Sequence, residues 1–243
     1  SLGKLQGKMP WLRGRVVRRR GVPGLQKLRI RFRKTGRAKY ISHLDLNRFM
    51  SRALRRAEIP VWMTQGFNPH PYITFALPLS LFYESLCEVM DSKLDGEMSF
   101  EEIAERLNRQ MPEGIEIYEV CEPVLKVTEL AYASYQIRME FPGLEKQELE
   151  EAVGRLQNSD KILVTKTTKR HEIEIDLKEI FTQAKISAGT GSLLIEATVP
   201  ASPQENLNPS CLLAAIEKYA GLTPEIEYIT RTGIYNNGME IFR

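Results

Sequence analysis

Cysteine, histidine and long apolar runs are all scarce in this 243-residue chain. The three cysteines, Cys87, Cys121 and Cys211, lie 34 and 90 residues apart, which is neither a disulfide framework nor the paired spacing of a metal knuckle. They read as reduced, mostly buried thiols. His43, His70 and His171 are equally scattered, so no imidazole has a partner at ligand spacing, and the chain is expected to hold no metal and no cofactor of its own. No stretch of 18 apolar residues occurs, which excludes a transmembrane helix. The first 25 residues are basic but broken by Gly3, Gly7, Pro10, Gly14 and Gly21, without the continuous apolar segment of a secretory leader. A cytoplasmic protein with no membrane partner is expected.

Acids are missing from one end. Residues 1–57 hold eighteen Lys and Arg against a single acid, Asp45, a net +17, whereas the remaining 186 residues hold sixteen bases against thirty acids, a net −14. The overall charge of +3 conceals this division. A basic end suits a polyanion, because each phosphate neutralised by Lys or Arg releases condensed counterions. The rest is ordinary: 42% hydrophobic and 27% charged residues describe a globular protein able to bury a core.

Local pattern then organises the chain. Residues 1–25, including the basic run Trp11–Arg20, read as an extension outside the core. Lys27–Lys34 (KLRIRFRK) alternates Leu28, Ile30 and Phe32 with Arg29, Arg31 and Arg33, so a strand here turns three guanidiniums to the face opposite the core. Ser42 and Asp45 form a capping box ahead of a helix to Ala57 with Leu46, Phe49, Met50, Ala53, Leu54 and Ala57 on one face and Arg48, Arg52, Arg55 and Arg56 on the other. Short strands at Pro60–Gln65 and Tyr72–Leu77 flank Gly66-Phe67-Asn68-Pro69-His70-Pro71, a loop stiffened by its prolines. A strand at Glu84–Leu94, a helix capped by Ser99 and a strand at Ile115–Val124 complete a β-α-β-(β)-β-α-β order. The second half repeats it: strand Ser134–Phe141, helix Lys146–Gln157, strands at Ile162–Thr167, Glu172–Leu177 and Leu193–Val199, a helix bounded by Asn208-Pro209 and Gly221, and a strand Glu225–Ile234. Gly189-Thr190-Gly191-Ser192 precedes a strand, so it is a hairpin turn and not a phosphate cradle. The expected fold is α+β, with two tandem ferredoxin-like (split βαβ) domains over residues 26–126 and 132–243.

Arg29, Arg31, Arg33, Arg37, Lys39, Arg48, Arg52, Arg55 and Arg56 come from one βα unit and are the candidate nucleic-acid-binding residues, with Gly66–Pro71 as an adjoining loop. An acidic protein partner would satisfy the same charge. Aromatic interleaving is thin, limited to Tyr40, Trp62 and Phe67. His43 and His70 are the candidate catalytic groups, a general acid and base for metal-independent RNA cleavage, since imidazole titrates near neutrality.

The stretch from Arg29 to Leu94 also carries long ordered motifs: Lys34–Leu46 (KTGRAKYISHLDL), Arg52–Ala57 (RALRRA), Gln65–Pro71 (QGFNPHP), Ala76–Leu79 (ALPL) and Glu84-Ser85, with Thr230–Gly233 (TRTG) near the end. In these it resembles the radical SAM-linked domain, a bacterial domain of unknown function fused to or encoded beside a radical SAM protein. The resemblance implies a non-catalytic accessory whose partner carries the iron–sulfur cluster and usually a cobalamin-binding region; this chain lacks the cluster's cysteine motif. It leans toward RNA or the ribosome as substrate, and its fold is similar to RAMP proteins that process CRISPR repeat RNA. Leu81-Phe82-Tyr83 stands where that family commonly has a glycine-containing turn.

Overall fold

The computed structural model describes residues 25–167 and 172–243; the run Trp11–Arg20 and His171 lie outside the described residues. Strand β1 (Gln26–Lys34) leads through a 3-10 turn (Gly36–Tyr40) to helix α1 (His43–Arg56). The Ser42 hydroxyl caps α1 by accepting from the Asp45 N–H at 3.1 Å while donating to the Asp45 carboxylate at 2.7 Å. Residues 60–73 keep only the isolated bridges Val61↔Leu94 and Met63↔Pro71, because Pro60, Pro69 and Pro71 bring no N–H to a ladder. The ladder beside them shrinks to β2 (Thr74–Phe75), ahead of β3 (Glu84–Leu94), α2 (Phe100–Asn108, capped by Ser99) and β4 (Ile115–Cys121).

The second half runs β5 (Leu130–Glu140), α3 (Lys146–Gln157), the hairpin β6 (Leu163–Thr167) and β7 (Glu172–Asp176), α4 (Lys178–Gln183), β8 (Lys185–Gly189), β9 (Ser192–Pro200), α5 (Ser210–Ala215) and β10 (Ile226–Asn236). A π-helical turn (Ile216–Ala220) extends α5 to Gly221, whose φ of 70° supplies the left-handed residue that closes a helix. The short helix α4 and strand β8 are additions to the expected order.

One eight-stranded mixed sheet runs through both halves in the order β4-β1-β3-β10-β5-β9-β8, with β2 also paired to β3; β6 and β7 form a separate hairpin. Neighbours pair antiparallel except at β3 and β10, which run parallel through Thr230↔Glu84 and Arg231↔Ser85. The fold is thus α+β. Leu28, Ile30 and Phe32 of β1 pack on Leu46, Met50 and Leu54 of α1 and on Ile103 and Leu107 of α2. In the second half Ile137 and Met139 of β5 and Ile195 and Val199 of β9 pack on Leu149, Val153 and Leu156 of α3 and Leu212 of α5. Each such side chain removed from water contributes about 1.5–3 kcal/mol, which fixes which sheet face takes the helices.

Two residue pairs of parallel ladder are a narrow seam, and a buried ion pair widens it. Arg231 of β10 and Glu88 of β3 are 3% and 2% exposed. The Arg231 guanidinium donates to Glu88 at 2.8 Å, to the Tyr135 hydroxyl at 3.1 Å, and to the Leu77 and Pro78 carbonyls at 2.8 and 3.1 Å. Burial alone would lower the Arg231 pKa, but Glu88 and Tyr135 hold it above its ordinary value.

Candidate functional site

The strand arginines do face away from the helices, but they meet carboxylates there. Arg29, fully buried, holds Asp91 of β3 through two bonds of 2.7 Å and lies 4.4 Å from the Phe242 ring centre. Arg31 pairs with Glu119 at 2.5 Å and Arg33 with Glu116 at 2.9 Å, both acids on β4. The expected row of free guanidiniums is therefore neutralised by acids on the flanking strands, placed opposite by antiparallel register. It also lies on the sheet face opposite α1, so the nine basic residues do not make one cluster.

The helix arginines differ. Arg48, Arg52, Arg55 and Arg56 are all exposed. Among the described residues, the ion pair they make is Arg48 with Asp45 at 3.7 Å, between groups more than 60% exposed, a contact of little energetic weight. Arg55 donates to the Pro69 carbonyl at 2.8 Å, which ties α1 to the Gly66–Pro71 loop. Gly66, Phe67, Asn68, Pro69 and His70 of that loop are exposed and Phe67 stands fully in solvent, while Pro71 is buried. The loop keeps its shape through the Thr64 N–H donating to the His70 carbonyl at 2.8 Å, and through the Thr64 hydroxyl, 3.1 Å from His70 Nδ1. Beneath it, Trp62 and Tyr72 make an edge-to-face pair with the Lys93 ammonium 4.9 Å from each ring centre.

The two candidate catalytic histidines occupy opposite ends of α1. His43 opens the helix, with its ring 5.1 Å from that of Phe75; His70 neighbours Pro69, which bonds Arg55 near the helix end. Helix α1 rises about 18 Å from His43 to Arg55, and the ring nitrogen of His70 bonds within its own loop, to Thr64 and the Asn68 carbonyl. Burial lowers the His43 pKa, with Glu88 opposing and Lys34 assisting. Lys34, almost wholly buried, is likewise drawn down by burial against the pull of Glu88, and donates to the Lys39 carbonyl at 3.4 Å. Among the described residues no three His, Cys, Asp or Glu side chains gather as metal ligands would, and no helix is long and apolar enough to cross a membrane.

Arg37 is exposed and Lys39 half-buried at the 3-10 turn, beside aromatic residues that sequence reading left out. Phe82 and Tyr228 lie far along the chain from Lys39, and the one local signal at the turn holding Phe82 is its lack of a glycine. A positive charge and an aromatic ring within contact distance are invisible to local pattern when strand pairing brings them together. No curated protein matches the chain. The family model for an uncharacterized protein conserved in bacteria (DUF2344) matches residues 27–209, more than half of the sequence, and the chain belongs to that family.

Proposed function

We propose that this protein is a non-catalytic, RNA-binding accessory that engages phosphates through the outer face of α1, with the Gly66–Pro71 loop shaping the contact. The observation that carries the reading is a contrast inside one βα unit. Arg29, Arg31 and Arg33 on the strand are each matched by a carboxylate, whereas Arg52, Arg55 and Arg56 on the helix meet none among the described residues. Unmatched exposed guanidiniums beside an exposed aromatic loop tip suit a phosphate backbone with accessible bases. The resemblance to domains encoded beside radical SAM proteins makes such an enzyme, acting on RNA or the ribosome, the proposed partner.

The topology supports a finer reading of the fold. Each half follows β-α-β-β-α-β, with spatial order β4-β1-β3-β2 in the first and β10-β5-β9-β8 in the second, the order of a split βαβ unit. We read these as two tandem, RAMP-like ferredoxin units, the second carrying β6, β7 and α4 as an insertion.

The test is fluorescence anisotropy of the protein on labelled bacterial RNA, with EDTA present, across a salt series. Arg48→Ala/Arg52→Ala/Arg56→Ala, which spares the Arg55 bond to Pro69, should weaken binding and flatten the slope of log affinity against log salt by about 2, at about 0.7 per lost single-strand phosphate contact. Unchanged affinity and slope refute the reading. A denaturing gel of the same samples should show intact RNA; cleavage abolished by His43→Ala or His70→Ala would put a metal-independent endoribonuclease in its place. Nuclease-insensitive co-purification with a radical SAM protein, in the absence of RNA affinity, would make the basic face a protein dock instead.

A further inference from the structure

Three aromatic rings and two cations form a continuous line across the seam between the two halves. Tyr40, 62% exposed, and Phe82, 60% exposed, pair edge to face with ring centres 5.9 Å apart. The Lys39 ammonium sits 5.4 Å from the Tyr40 ring and 5.3 Å from that of Tyr228 on β10. The Arg138 guanidinium of β5 lies 4.5 Å from the Tyr228 ring centre and 3.3 Å from Glu140. Tyr228 and Arg138 are direct cross-strand partners, so their positions are fixed by the ladder.

The fold holds this arrangement out at some cost. Phe82 has a φ of 71°, a left-handed backbone that a residue with a side chain adopts with strain. It is kept there by its N–H donating to the Lys39 carbonyl at 3.0 Å, and by the next residue, Tyr83, whose hydroxyl donates to Asn208 of the second half at 3.0 Å. Asn208 in turn donates to the Ser80 hydroxyl at 3.2 Å. The strained turn faces Phe82 to solvent in place of the core. Glu84 of that turn accepts from the Gly36 N–H at 2.8 Å, and Lys39 is the cation lying against both the Tyr40 and the Tyr228 rings.

From this juxtaposition we infer that Phe82, Tyr40 and Tyr228, interleaved with Lys39, are a stacking track for the unpaired bases of a single-stranded RNA, with the Lys39 ammonium near its phosphates. The inference rests on the RNA-binding reading above and deepens it: α1 supplies charge, and the track supplies preference for single strands. Stacking serves here because every base offers a π-face, whereas a duplex hides its bases within the helix. An apolar protein partner would find an edge-to-face aromatic pair beside Lys39 a poor match, since that ammonium would be stripped of water without a counter-charge.

The experiment titrates the full chain into a labelled oligouridylate of about ten nucleotides and into an RNA duplex of equal length, by anisotropy. The wild type should bind the single strand more tightly. Tyr40→Leu/Phe82→Leu, which keeps apolar volume and removes the rings, should lose about tenfold or more on the single strand while duplex affinity and salt slope stay unchanged. Tyr40→Phe/Phe82→Tyr should bind like wild type, and a melting curve establishes that each variant is folded. A leucine variant that holds the single strand as tightly as wild type overturns the track but leaves the α1 reading standing, provided the α1 triple variant still weakens binding. Absence of wild-type binding to either RNA overturns both.

Discussion

Removing the Arg231 side chain should strand a buried carboxylate, and the cost can be worked from its contacts. In Arg231→Leu, Glu88 stays 2% exposed and loses a 2.8 Å charged partner, while the Leu77 and Pro78 carbonyls and the Tyr135 hydroxyl lose a donor each. Breaking a buried pair by deleting one member costs about 3–5 kcal/mol, and each unsatisfied buried acceptor adds about 1–3 kcal/mol where water cannot reach it. The expected loss is therefore at least about 4 kcal/mol, against a total stability of about 5–15 kcal/mol for a folded domain. Glu88→Leu/Arg231→Leu strands no charge and should be less damaging than Arg231→Leu alone, so the double-mutant cycle should close with a coupling of about 2 kcal/mol or more. Urea denaturation followed by far-ultraviolet circular dichroism and by tryptophan fluorescence measures Arg231→Leu, Glu88→Leu and the double variant. A loss under about 1 kcal/mol for Arg231→Leu, or two single losses that simply add, would refute the claim that this pair holds the seam.

Other perturbations probe separate links. Gly114 has a φ of 88°, and a Cβ there would lie 2.2 Å from the Thr35 carbonyl oxygen, so Gly114→Ala should cost about 2 kcal/mol or more, against about 1 kcal/mol for Gly36→Ala, where the space is open; thermal melts compare them directly. His43 has its pKa lowered from 6.5 by burial, so the unfolded chain binds its proton first as pH falls, and stability should drop from near pH 6.5 down through the lowered value. His43→Gln should remove that component, as read from urea midpoints at neutral and mildly acidic pH; an unchanged acid dependence would contradict the assignment. Burial pushes the Cys87 thiol up to about 12, so at mildly alkaline pH it should stay unreactive to a disulfide reagent until the protein unfolds; modification of native Cys87 as fast as a free thiol would show that the seam opens.

Much of the fold is legible wherever one element decides its own fate. The alternation of Lys27–Lys34, the Ser42 and Ser99 caps and the apolar face of Lys146–Gln157 each act within a turn or a strand, and the corresponding elements stand where those signals put them. Helix α4 escapes the same reading because its six residues carry no side-chain cap and bury only Phe181, too little periodicity to register. The tract at 60–77 reads as more strand than it forms, since β propensity says nothing about whether prolines leave a neighbour anything to bond.

The candidate site separates along the same line. That Arg29, Arg31 and Arg33 share one face is dictated by the two-residue period of a strand, but what that face meets is set by Asp91, Glu116 and Glu119, 62 to 88 residues away. A count of +17 over residues 1–57 is therefore a poor measure of field. Within that stretch the strand charges are cancelled by acids in neighbouring strands, Lys34 is buried near Glu88, and α1 keeps its charge because the opposite side of a surface helix has no partner strand to supply acids. Helical arginines left uncancelled by the fold are a stronger pointer to an external anion than the larger number of arginines read from the sequence, and the rings beside Lys39 become visible only once β5 and β10 bring Arg138 and Tyr228 to the edge of the 3-10 turn.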